Sequence, residues 1–147
     1  MERQVPLGNW FNHILEQIRS EINYNMQSYN IDSAGFTVIY YMSMYGDGMT
    51  QAQLTKMLIL DKAAISRTLK TLETRGFIRK ENNPTDGRKQ HIFLTETGRE
   101  IQGFVTEVYD KIFNQLIEGI SKKDVYQCLT TLEAIHENAL KIRAERT

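Results

Sequence analysis

The apolar residues of this chain change period twice, and that change is what most constrains the fold. Up to Thr74 they recur at three- and four-residue steps. Over residues 77–94 they follow a strand pattern broken by a turn-rich loop. From Ile101 to Ile142 the helical step returns. Such a pattern predicts a mainly α protein carrying one small β-hairpin. With 147 residues, no internal repeat and no low-complexity linker, it is expected to form a single domain over residues 1–147.

The element boundaries follow from local signals. Trp10, Phe11, Ile14, Leu15, Ile18, Ile22, Met26 and Tyr29 mark a first helix over about 9–29. Asp32 is placed to cap a second, carrying Phe36, Ile39, Tyr40 and Ser43 and ending near Gly46-Asp47-Gly48. Thr50 and Gln53 have capping-box spacing and open a short third helix with Leu54, Met57 and Leu58 inward. After the turn Ile59-Leu60-Asp61, Asp61 caps a fourth helix, 62–75, with Ile65, Leu69 and Leu72 on one stripe and Gly76 at its end. Strands are expected at 77–81 and 90–94. Thr95 caps a long fifth helix running through Ile101, Phe104, Val105, Val108, Ile112, Phe113, Leu116 and Ile120. Ser121 and Asp124 open a sixth, with Val125, Cys128, Leu129, Leu132, Ile135, Ala139 and Ile142 on its apolar stripe.

The formal charge is zero, but it is unevenly spread. Residues 50–90 hold nine Lys and Arg against four Asp and Glu, a net of +5, and the remainder is −5. A localised basic segment is an electrostatic footprint for a polyanion. It coincides with the third and fourth helices, which have helix-turn-helix size, and with the hairpin. If Ile65, Leu69 and Leu72 face the core, then Ala63, Arg67, Lys70 and Thr74 lie outward, with small residues (Ala63, Ala64, Ser66) near the helix start. That face suits a major groove, Arg67 as a partner for guanine edges and Lys70 for phosphate. Asp86-Gly87 supplies turn chemistry at the hairpin tip, and Arg88 and Lys89 supply charge for a minor groove or for phosphates. Asp86, two residues before Arg88, is expected to orient its guanidinium.

The run Ile65-Ser-Arg-Thr-Leu-Lys-Thr-Leu-Glu-Thr-Arg-Gly-Phe-Ile-Arg-Lys80, then Asp86-Gly-Arg88, then Leu94-Thr-Glu-Thr-Gly-Arg99 resembles the MarR family of winged-helix regulators. The resemblance spans nearly the whole chain. It implies a winged helix-turn-helix over about 32–95, flanked by dimerisation helices at about 9–29 and 96–143. It implies a homodimeric repressor on a pseudo-palindromic double-stranded DNA operator, released by a small phenolic or lipophilic effector. By position, Ser66, Arg67 and Lys70 match the reading helix, Arg88 the wing-tip arginine and Asp86 its partner. The expected DNA-contacting set is Thr50, Gln51, Lys62, Ala63, Ser66, Arg67, Lys70, Arg79, Asp86, Arg88 and Lys89. Trp10, His13, Phe36, Tyr40 and Tyr41 are the expected lining of an effector pocket. A two-fold dimer would bury the surplus apolar surface of the first, fifth and sixth helices.

Other functions leave little trace. There is no Walker loop, G-x-S-x-G, G-x-G-x-x-G or H-E-x-x-H motif, so neither an enzyme nor a cofactor site is expected. His13, His91 and His136 are scattered and show no zinc spacing. Cys128, on the sixth-helix stripe, reads as a buried inert thiol, whereas thiol-sensing members of the family carry theirs in the first helix. No apolar run approaches the ~20 residues of a membrane span. Met1 to Pro6 show no apolar leader, and the lone cysteine rules out an internal disulfide, which together suggest the cytoplasm. The alternatives are a winged-helix protein-interaction module without DNA binding, or a redox- or metal-responsive regulator.

Overall fold

A computed structural model describes residues 6–58 and 60–146, so the segment Met1–Val5, the Ile59 position of the interhelical turn and Thr147 lie outside the described residues. The elements run α1 (Leu7–Met26), a 3-10 turn (Gln27–Tyr29), α2 (Ser33–Tyr45), β1 (Met49–Thr50), α3 (Gln51–Leu58), α4 (Lys62–Thr74), β2 (Ile78–Asn82), β3 (Gln90–Leu94), α5 (Glu96–Leu116) and α6 (Lys122–Ala144). The chain divides into two compact units at Ile112/Phe113, a boundary that α5 crosses.

The helix starts are set by the side chains expected to cap them. Asp32 Oδ1 accepts the Gly35 N–H at 2.9 Å, and Asp61 Oδ1 accepts the Ala64 N–H at 2.8 Å. Thr50 and Gln53 form the reciprocal box. The Gln53 N–H donates to Thr50 Oγ1 at 3.2 Å, and the Thr50 N–H donates to Gln53 Oε1 at 2.9 Å. Asp61→Ala is expected to lower stability by about 1 kcal/mol. Chemical denaturation checks this, and an unchanged midpoint would show that the cap contributes nothing.

Helix α4 ends by a Schellman arrangement. Gly76 adopts φ +80°, the Phe77 N–H donates to Leu72 O at 2.9 Å, and the Gly76 N–H donates to Glu73 O at 3.0 Å. Phe77 is thus used in the cap, so the strand begins at Ile78, one residue later than the pattern suggests. Helix α1 stops at Met26, and Asn30 closes the following 3-10 turn in the left-handed region. Helix α5 stops at Leu116 rather than reaching Ile120, because the chain turns through Gly119 at φ +77°.

The hairpin gains a third strand. β1 pairs antiparallel with β3 (Met49↔Ile92, Thr50↔His91), and β3 pairs with β2 from Ile78↔Leu94 to Asn82↔Gln90, giving the order β1-β3-β2. Gly48 at φ +85° leads into β1 and donates its N–H to Ile92 O at 2.9 Å. Two residues are too few to show a period, so β1 was not foreseeable from the pattern.

The core of the first unit is apolar throughout. Phe36, Val38, Ile39 and Met42 make α2 its central helix, and Leu54, Ile65, Leu69, Leu72, Ile78, Ile92 and Leu94 pack beneath it. Ile101, Val105, Val108 and Ile112 of α5 close it. The outer helices depart from expectation. Only Ile22 and Met26 of α1 are buried, and Trp10 is 56% exposed. No residue of α6 is buried, and Leu129 is 50% exposed. Cys128, expected to be buried, is exposed.

Candidate nucleic-acid interface

The stripe Ile65, Leu69 and Leu72 seats α4 on the core and turns Ala63, Ser66, Arg67, Lys70 and Thr74 to solvent. Arg67 lies on the flank toward α2, where it lines a cavity of about 270 Å³ with Asp32, Gly35, Thr71 and Arg75. Ala63, Ser66 and Lys70 stand outside that cavity.

A larger groove, about 830 Å³, joins three elements. Thr50, Gln51 and Lys56 come from the β1–α3 corner, Lys62 from the first turn of α4, and Arg88 and Lys89 from the hairpin tip. Five residues of the sequence-based set therefore share one groove. Lys56 and Gln90 also line it and were not foreseen; Lys56 showed only as one charge within the basic segment.

The hairpin loop is held by its own backbone. The Lys89 N–H donates to Asp86 O at 3.0 Å, and the Asn83 N–H donates to Lys89 O at 2.9 Å. Asp86 Oδ1 accepts the Arg88 backbone N–H at 3.1 Å. The carboxylate thus braces the turn that presents Arg88, in place of the guanidinium contact expected from spacing. Arg79 is engaged elsewhere: it pairs with Glu81 and lies over the Phe93 ring, 4.6 Å from its centroid.

Charge pairing sharpens this division. The ion pairs among the described residues are Arg79–Glu81, Lys80–Glu73 and Arg99–Asp47. None involves Lys56, Lys62, Arg67, Lys70, Arg88 or Lys89, so the cations of the groove and of the α4 face are left unneutralised by ion pairs. A surface of this kind attracts an extended polyanion.

Known proteins share both this segment and this fold. A model of the MarR family matches residues 29–89, which cover α2 to the hairpin tip. That match spans 61 of the 147 residues. A crystal structure of MarR is 26% identical over 99% of this chain and 98% of that one, with a TM-score of 0.79. The fold is also that of the S. aureus MepR–DNA complex, which is 20% identical over 92% of this chain and 99% of that one, TM-score 0.84. It is likewise that of a mutant MarR from E. coli complexed with operator DNA, at 22% identity over 89% and 94%, TM-score 0.78. The six helices and three-stranded sheet are the winged-helix architecture of MarR-family regulators. The β2–β3 hairpin is accordingly called the wing below.

The residues expected around an effector fall into two places. Trp10 and His13 line an open cleft of about 490 Å³ along α1 with Asn9, Asn12 and Glu16. Phe36 is in the core, and its ring stacks on half-buried Tyr40 with centroids 6.5 Å apart. Tyr40 in turn stacks on Tyr109 at 4.1 Å and meets Tyr41 edge-on at 6.3 Å. Tyr109 comes from α5, far along the chain, and carried no sequence signal. Burial, then the neighbouring Tyr109, pushes the Tyr40 phenol up to about 12; burial, then Tyr45, also raises Tyr41. The Tyr40 and Tyr41 phenols are therefore neutral at ordinary pH. Among the described residues no group of three or more His, Cys, Asp or Glu is placed to hold a metal ion. No described helix is long and apolar enough to cross a membrane.

Proposed function

We propose that this chain is a MarR-family regulator: a homodimeric, sequence-specific transcriptional regulator that represses from a pseudo-palindromic operator in the cytoplasm. Helix α4 enters the major groove through Ala63, Ser66, Arg67 and Lys70, and the wing places Arg88 at the minor groove, against the phosphates that flank it. The observation that carries this reading is the groove shared by Thr50, Gln51, Lys62, Arg88 and Lys89, whose cations have no ion-pair partner among the described residues. A phosphate backbone fits that groove beside the exposed face of α4. The apolar stripes left open on α1 and α6 support a dimer in which each is covered by a second copy. The stacked tyrosine cluster around Tyr40 supports a small phenolic or lipophilic effector.

Binding-site selection on random duplex DNA tests the proposal. The expected result is a palindromic consensus with half-sites about one turn, ~34–36 Å, apart. A pool that never enriches would overturn it in favour of a protein-interaction module. On the selected site, Arg67→Ala is expected to cost about 1–3 kcal/mol and to relax preference at one base position. An equal loss on random DNA would reassign Arg67 to a phosphate.

A further inference from the structure

His91 sits on β3 between its register partners Thr50 on β1 and Glu81 on β2. Its ring joins two parts of the interface. Nδ1 lies 2.8 Å from the Gly48 carbonyl oxygen, at the entry to β1 and α3. Nε2 lies 3.3 Å from Asn83 Nδ2, at the start of the wing loop. A carbonyl oxygen can only accept, so Nδ1 carries a hydrogen. The Asn83 amide is held in one orientation, because its Oδ1 accepts the Thr85 N–H at 3.0 Å and the Thr85 hydroxyl at 2.8 Å. Its NH₂ therefore faces the ring, and Nε2 must be the bare, accepting nitrogen. Both contacts together require the neutral Nδ1–H tautomer.

We infer, resting on the DNA-binding reading above, that His91 is a positioning residue for the wing that makes DNA affinity depend on pH. A proton taken from solvent onto the Nε2 lone pair sets an N–H against the Asn83 N–H. Asn83 then either leaves the ring or turns its amide and breaks both bonds to Thr85. Asn83 also donates its backbone N–H to Lys89 O, so its displacement is passed to the Arg88–Lys89 edge of the groove. The wing is thus held while the ring is neutral and released when the ring takes up a proton.

The charged groups on the elements around the ring are Arg79, Lys80 and Glu81 on β2, Asp86, Arg88 and Lys89 in the wing loop, Asp47 before Gly48, and Lys56 on α3. Each of the three carboxylates already has a partner: Glu81 has Arg79, Asp47 has Arg99, and Asp86 has the Arg88 N–H. None stands ready to receive an imidazolium.

The full-length protein and its selected operator are titrated at fixed ionic strength from pH 7.5 to 5.5, alongside His91→Gln. The wild type is expected to lose about tenfold more affinity than the variant across that range, the equilibrium cost of one half-buried hydrogen bond left unmade. Parallel profiles, or a wild type that binds more tightly in acid as a simple added charge would make it, overturn the inference. Nitrogen-15 NMR of the DNA-free protein at pH 7.5 gives a second readout. Protonated Nδ1 and bare Nε2 are expected, and an Nε2–H tautomer overturns the inference whatever the DNA result. If neither protein binds any selected DNA at any pH, the DNA-binding reading fails and the pH dependence of DNA affinity fails with it. The NMR result then shows whether the wing contact itself was read correctly.

Discussion

Gly98→Ala is expected to destabilise the first unit by about 3 kcal/mol or more, beyond the usual cost of overpacking, and to lower its melting temperature by many degrees. A Cβ built on Gly98 would stand 2.1 Å from the Phe77 carbonyl oxygen and 3.1 Å from Leu94 Cδ2. The obstacle is backbone, and it is fixed twice: Phe77 belongs to the α4 cap, and its carbonyl accepts the Thr95 N–H at 3.0 Å. Thr95 in turn accepts the Gly98 N–H at 3.1 Å, capping α5. The Leu94-Thr-x-x-Gly98 run thus seats the first turn of α5 directly on the chain leaving α4. Gly103 provides the control. It lies in the same helix with open space around it, so Gly103→Ala is expected to stabilise by about 0.5–1 kcal/mol through helix propensity. Two variants with the same melting temperature would show that the close approach in the structure is wrong.

Operator affinity is expected to fall by about 10³–10⁵ between 50 and 200 mM salt, the range for six to ten phosphate contacts. The four groove cations Lys56, Lys62, Arg88 and Lys89, taken twice in a two-fold dimer, fall within that range. The sharper result is the change in slope. Each contact contributes roughly −0.9 to the log-log slope on B-DNA, so Arg88→Ala in a dimer is expected to flatten it by about 1.8. A flattening of about 0.9 would mean one bound copy, and none would remove Arg88 from the backbone contacts. The fold of this variant should be unchanged, because Asp86 receives the backbone N–H of residue 88 rather than its side chain.

The order of elements, the helix caps and the split between the buried and outward faces of α4 were legible in the residues. Each depends on groups within about four positions of one another: Asp61 with Ala64, Thr50 with Gln53, Ile65 with Leu69, and Leu69 with Leu72. Backbone geometry fixes such distances before any tertiary contact forms. The basic segment was legible too, because charge can be counted without coordinates.

What the chain could not declare were the partners that meet across long separations. Strand β1 exists because Met49 and Thr50 meet Ile92 and His91. Tyr109 reaches Tyr40 from α5, and Arg79 is taken by Glu81 and Phe93 in the folded sheet. The stripe of α6 reads as core in a list of residues and lies open in the fold, because periodicity shows which face is apolar without showing what covers it. The wing shows the same limit. The sequence determined by itself that Asp86, Gly87, Arg88 and Lys89 make a tight basic turn. Only the tertiary structure decided that the turn is steadied by Asp86 on the Arg88 backbone and by His91 between Gly48 and Asn83, since those bonds depend on where β3 lies between its neighbours.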